Sequence, residues 1–235
     1  MSNLKVENVK KAKDILTTGE YGRFHKANFE NYNYGDITPV NNDILNVIPK
    51  GTIILSDDVY QTLLAVQDLT ADSGKEVPFF LYGREAGDNQ IIFEEFYSKS
   101  SNRTSTEASF GEDMINNLTD KLKNNKSSNL AVCRGHSHPP VGPFCENFSI
   151  GDLAGDIQFN QDNEIFRTKK VEAISCVVAP SGDINFLYYD NVTNNFYRFT
   201  NVVVKSKDNK YTNVDCYGSG KVATEQRQRW WEWAI

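Results

Sequence analysis

The stretch Leu130-Ala131-Val132-Cys133-Arg134-Gly135-His136-Ser137-His138-Pro139 opens as a short apolar strand over 130–133 and runs directly into two histidines and a proline. Side chains alternate along an extended chain with period two, so His136 and His138 point to the same face. Pro139 has no N–H to offer a ladder and ends the pairing there. Such a strand needs a sheet around it, and the flanking sequence supplies the other elements.

Upstream, residues 52–55 read as an apolar strand, and Ser56 is a helix cap followed by Asp57 and Asp58, where the macrodipole favours acids. Val59, Leu63 and Val66 recur at helical spacing and predict an amphipathic helix over 57–69. Residues 77–82, closed by Gly83, and 91–97 read as strands, with a Ser/Thr-rich loop over 99–110. A second helix is expected over 113–122, with Ile115, Leu118 and Leu122 inward. Downstream, Ser149 opens a helix to about residue 160, and 171–178, 184–189 and 196–204 predict three more strands around a turn at Ser181-Gly182-Asp183. The order β-α-β-β-α-β-α-β-β-β predicts a mixed α/β fold, a mixed sheet flanked by helices.

The chain has 235 residues, 39% hydrophobic and 12% aromatic, ample for a packed core. Its 25 basic and 31 acidic residues give a net charge of −6, which disfavours general binding to nucleic acid or anionic membranes. No stretch approaches the ~18 consecutive apolar residues of a membrane span, and residues 1–16 lack the apolar core of a signal peptide. Four cysteines (Cys133, Cys145, Cys176, Cys216) do not resemble a disulfide framework. The expected setting is soluble, reducing and cytoplasmic. Three units follow: an N-terminal extension over 1–50, a main domain over 51–205, and a tail over 206–235 whose aromatic Arg227-Gln228-Arg229-Trp230-Trp231-Glu232-Trp233 is expected to pack back onto the domain. Within the extension, 1–17 read as a short polar helix and 18–50 as an irregular segment.

The chemistry lies after the strand. Ser149-Ile150-Gly151-Asp152 puts a hydroxyl and a carboxylate on the first turn of a helix. Two neutral imidazoles and one carboxylate suit a catalytic zinc that keeps a fourth position open for water. Plainer readings compete. His-x-His occurs in ordinary surface loops, and Ser-x-x-Asp is also a capping-box-like helix start. A structural zinc site of Cys133, His136, His138 and Cys145 is a third reading, against which strand parity turns Cys133 away from the histidines.

Taken together, Glu76-Val77-Pro78-Phe79-Phe80-Leu81-Tyr82-Gly83, His136-Ser137-His138-Pro139 and Ser149-Ile150-Gly151-Asp152 resemble the JAMM (MPN-plus) metalloprotease signature, over roughly residues 50–190. In that family a Glu opens a strand ending in Gly, followed by His-x-His-Pro and Ser-x-x-Asp. The resemblance implies a single MPN (JAB)-like domain, with His136, His138 and Asp152 as ligands of Zn²⁺. It also implies Glu76 as general base and then acid, and Ser149 as donor to the oxyanion. Glu85, Glu94 and Glu95 are the other candidates for the base, and the family's spacing to a strand-terminal Gly favours Glu76. Two departures stand out: the loop over 140–148 is longer than the family's commonest spacing, and Phe79 replaces a frequent Gly. Cys145, in that loop, reads as packing rather than as a nucleophile.

The implied activity is zinc-dependent isopeptidase hydrolysis after the C-terminal Gly of a ubiquitin or ubiquitin-like protein. A regulatory protein partner is a further implication. The Asn- and Lys-rich composition fits a bacterial member of the family better than a eukaryotic one. Two other functions compete: a non-catalytic MPN scaffold binding protein partners, and a zinc peptidase acting on a peptide that is not ubiquitin-like.

Overall fold

In the computed structural model, which describes residues 7–8, 10–12, 45–48, 51–99, 110–126, 129–140, 146–162 and 172–217, the first long helix starts where Ser56 accepts a hydrogen bond from the Val59 N–H at 3.3 Å. With Asp57 and Asp58 in its first turn, that cap opens α1, Asp57–Ser73. Val59, Leu63, Val66 and Thr70 bury one stripe of it. The helix therefore runs a turn beyond the expected 69, to Gly74, whose left-handed φ of 64° and N–H bond to the Thr70 carbonyl end it. In α2, Glu112–Asn124, the buried stripe is Met114, Leu118 and Leu122. Ile115, expected inward, is 38% exposed, because the stripe recurs at every fourth residue from Met114. The last helix is α3, Ile150–Asp162.

The strands are β1 (Asn46–Val47), β2 (Thr52–Ser56), β3 (Pro78–Gly87), β4 (Gln90–Tyr97), β5 (Leu130–Ser137), β6 (Glu172–Val178), β7 (Ile184–Asp190), β8 (Asn195–Arg198), β9 (Asn201–Lys205) and β10 (Tyr211–Val214). They form one mixed sheet in the order β1-β8-β7-β6-β5-β3-β4-β2-β9-β10. Residues 196–204 are thus two strands rather than the single one expected: β8 pairs antiparallel with β7, and β9 pairs parallel with β2. Likewise β3 does not stop at Gly83 but passes through it on an irregularity in its pairing with β4. A Cβ on Gly83 would lie 1.8 Å from the Ile92 carbonyl oxygen, so the close approach requires glycine.

Only Phe199 and Thr200 separate β8 from β9, so strands near opposite ends of the sheet order lie at most about 11 Å apart along the chain. The sheet is therefore curled. Phe93 of β4 and Phe186 of β7 stack at 5.9 Å, although four strand spacings in a flat sheet would put them roughly 19 Å apart.

Alternation along β5 sorts the helices. Ala131 and Cys133 pack with Val59, Leu63 and Val66 of α1 on one face. Val132 packs with Met114, Leu118 and Leu122 of α2 on the other. On that second face α3 buries Leu153, Ala154 and Ile157 against Val177 of β6 and Leu187 of β7. No helix among the described residues is long and apolar enough to cross a membrane. Residues 7–8 and 10–12 are helical, as expected for that region. Most of the 1–50 extension, most of the 99–110 loop, Cys145 and the tail at Arg227–Trp233 lie outside the described residues.

Phe79 of β3 sits directly opposite Gly135 of β5, and a Cβ on Gly135 would meet the Phe79 ring at 2.1 Å. The large ring and the bare backbone fit only each other. Gly135→Ala is expected to lower stability by about 1–3 kcal/mol through overpacking, with part of the loss recovered in Phe79→Leu/Gly135→Ala. Urea unfolding midpoints check this, and an unchanged midpoint in the single variant would contradict it.

A candidate metal centre at the end of β5

His136 lies in β5 and His138 one residue beyond it, where the His138 N–H still donates to the Val178 carbonyl at 2.9 Å. The extended path continues through both residues, so the side chains share a face. Their Nε2 atoms approach to 2.9 Å and both residues are buried. Two imidazole nitrogens facing each other at that distance need a cation or a shared proton between them.

The pairing of β3 with β5 brings in the carboxylate. Pro78 is opposite His136, and the Ser137 N–H donates to the Val77 carbonyl at 3.2 Å. Glu76, two residues before Pro78, is buried beside the imidazoles, and one ligand atom from each of Glu76, His136 and His138 falls within 4.8 Å of the others. These three could hold a metal ion. The other glutamates weighed for this role lie elsewhere: Glu94 pairs with Arg84 at 3.7 Å, Glu95 pairs with Lys121, and Glu85 is exposed.

From α3 comes Asp152. Its Oδ1 lies 3.1 Å from His136 Nε2, and its Oδ2 lies 3.6 Å from His138 Nε2. Oδ2 also accepts from the Ser149 N–H (2.7 Å) and the Ser149 hydroxyl (2.8 Å), while Ser149 Oγ accepts from the Asp152 N–H (3.2 Å). Ser149 and Asp152 thus form a reciprocal capping box while the same carboxylate faces the histidines. Burial pushes the Asp152 carboxyl up, but the imidazoles of His136 and His138 outweigh it and hold the group well below the usual carboxylate range.

These donors suit zinc. Two imidazole nitrogens and a carboxylate stand 2.9–3.6 Å apart, against the roughly 3.3–3.4 Å between ligands on a tetrahedral ion with bonds of 2.0–2.1 Å. Cys133 takes no part: it packs with Cys176 on the face covered by α1, and burial pushes its thiol well above the ordinary value. Cys145 is outside the described residues.

Two supporting residues escaped the sequence reading. Ser137, between the histidines, faces α1 and accepts from the Val77 N–H at 3.0 Å. Its hydroxyl lies 2.5 Å from that of Thr70, which itself donates to the Val66 carbonyl at 2.8 Å. The donor sense follows: Ser137 donates to Thr70. The chain of bonds ties the residue next to Glu76 to the segment between the histidines. The available signal was Thr70 itself, a polar residue on the buried stripe of Val59, Leu63 and Val66.

No protein-family model matches the chain, and no curated protein matches it.

One turn beyond Asp152, Asp156 is almost fully buried. Burial pushes its carboxyl up to about 6, against the lowering influence of Arg134 and of the hydrogen bond from Ser175. The folded chain then keeps a proton that the unfolded chain releases near pH ~3.9. This contribution to stability is complete below about pH 4 and is lost as the pH rises to about 6. With metal chelated, the stability of wild type relative to Asp156→Asn should fall between pH 4 and 7 by on the order of 2 kcal/mol. Denaturant titrations across that range check it, and a constant difference would contradict it.

Proposed function

We propose that this chain is a zinc-dependent isopeptidase of the JAMM (MPN-plus) type, hydrolysing the bond after the C-terminal Gly of a ubiquitin or ubiquitin-like protein. The observation that carries the reading is the meeting of Glu76 with His136 and His138 in one buried cluster. Asp152 and its partner Ser149 adjoin it from α3.

In this reading His136, His138 and Asp152 hold the ion. A bound zinc supplies a Lewis acid that brings its water's pKa to about 7. Glu76, buried next to the imidazoles, takes a proton from the attacking water as its oxygen bonds the carbonyl carbon. Glu76 then returns that proton to the leaving amine as the C–N bond breaks. The Ser149 hydroxyl, which donates to Asp152 Oδ2 in the free chain, turns to the developing oxyanion, a contribution of about 3–4 kcal/mol. An extended substrate tail beside a strand edge gains main-chain hydrogen bonds. The presence of all five groups favours an enzyme over a non-catalytic scaffold.

Metal content and hydrolysis, measured on the same preparations, test the proposal. Wild type and Glu76→Gln should each carry one zinc, and His138→Ala should carry none. Glu76→Gln should cleave a fluorogenic ubiquitin-like tail about 10²–10⁴-fold more slowly than wild type. Zinc retained in His138→Ala, or full activity in Glu76→Gln, would sink the proposal. Equal rates on the tail and on unrelated peptides would favour a general peptidase.

A further inference from the structure

We propose that Arg134, Asp156 and Ser175 form a clamp of positioning residues that sets the distance between Asp152 and the two histidines, an inference resting on the metal reading of that site. Arg134 is one same-face step before His136 on β5, and Asp156 is one turn after Asp152 on α3. The clamp therefore joins the two elements that carry the ligands, immediately beside them. Arg134 Nη2 lies 3.7 Å from Asp156 Oδ1, and the Ser175 hydroxyl donates to the same oxygen. Ser175 is the register partner of Arg134 on β6, so three elements meet at one carboxylate.

The surroundings are shaped for that guanidinium. It lies over the rings of Phe110 and Phe159, at 5.4 and 5.7 Å. Gly155 leaves the room: a Cβ there would be 2.6 Å from Arg134 Nη2. Asp156 is 2% exposed.

A device that only stabilised the fold would be poorly built this way, since a buried ion pair often does no better than apolar side chains of similar volume. What it adds is direction. The apolar contacts of α3 with the sheet, through Leu153, Ala154 and Ile157, are non-directional and by themselves guard less against small slides of the helix than a directed ion pair does. A metal site tolerates only about 0.5 Å of such misplacement, and the clamp removes it.

The test uses the full-length, zinc-loaded chain. Zinc dissociation constants come from competition with a chromophoric chelator, and the visible absorption of the Co²⁺-substituted protein reports the ligand geometry. Asp156→Asn should bind zinc about 10–100-fold more weakly and change the intensity of the Co²⁺ bands. Ser175→Ala, which removes one hydrogen bond and no charge, should shift both in the same direction by less, and it decides the matter if Asp156→Asn does not fold. Unchanged affinity and Co²⁺ spectra in the folded variants, whatever happens to their melting temperatures, would overturn the clamp alone. Failure of wild type to bind zinc would overturn the metal reading and the clamp together.

Discussion

The antiparallel register of β3 against β5 is the constraint on which the centre depends. With Pro78 opposite His136, Glu76 falls beside the imidazoles. A slip of one residue would turn every side chain of one strand to the other face and send the carboxylate into the apolar core under α1. Two unlike contacts hold the register. The Phe79 ring occupies the space above Gly135, and the Ser137 hydroxyl captures the Val77 N–H. One is a steric fit and the other a directed bond, and both lie within three residues of a candidate ligand.

The Asp152 carboxylate arrives through helix chemistry instead. The start of α3 needs acceptors for its free N–H groups, and the Ser149–Asp152 box provides them. Because Asp152 uses Oδ2 for the cap, Oδ1 is left toward His136. Capping and metal binding are therefore compatible uses of one carboxylate. The negative charge also sits at the helix end where the macrodipole favours it.

Much of this was legible from the chain alone, for local reasons. The shared face of His136 and His138 follows from the two-residue period of an extended backbone, and the start of α1 follows from Ser56 and the acids after it. What stayed hidden depends on distant partners. Ser137 meets Thr70 across 67 residues, and Arg134 meets Asp156 only once α3 lies on the sheet. The division of 196–204 into β8 and β9 was hidden because Phe199 and Thr200 are as β-prone as their neighbours. Only the curl of the sheet shows that the two halves pair with strands near opposite ends of its order.

The proposed centre holds one zinc ion through two imidazoles and a carboxylate, without thiolate. X-ray absorption at the zinc edge of the loaded protein tests it most directly. Such a centre would show nitrogen and oxygen neighbours alone at about 2.0–2.1 Å, with the outer scattering of two imidazole rings. A sulfur neighbour at about 2.3 Å would contradict it and move the metal to the cysteines.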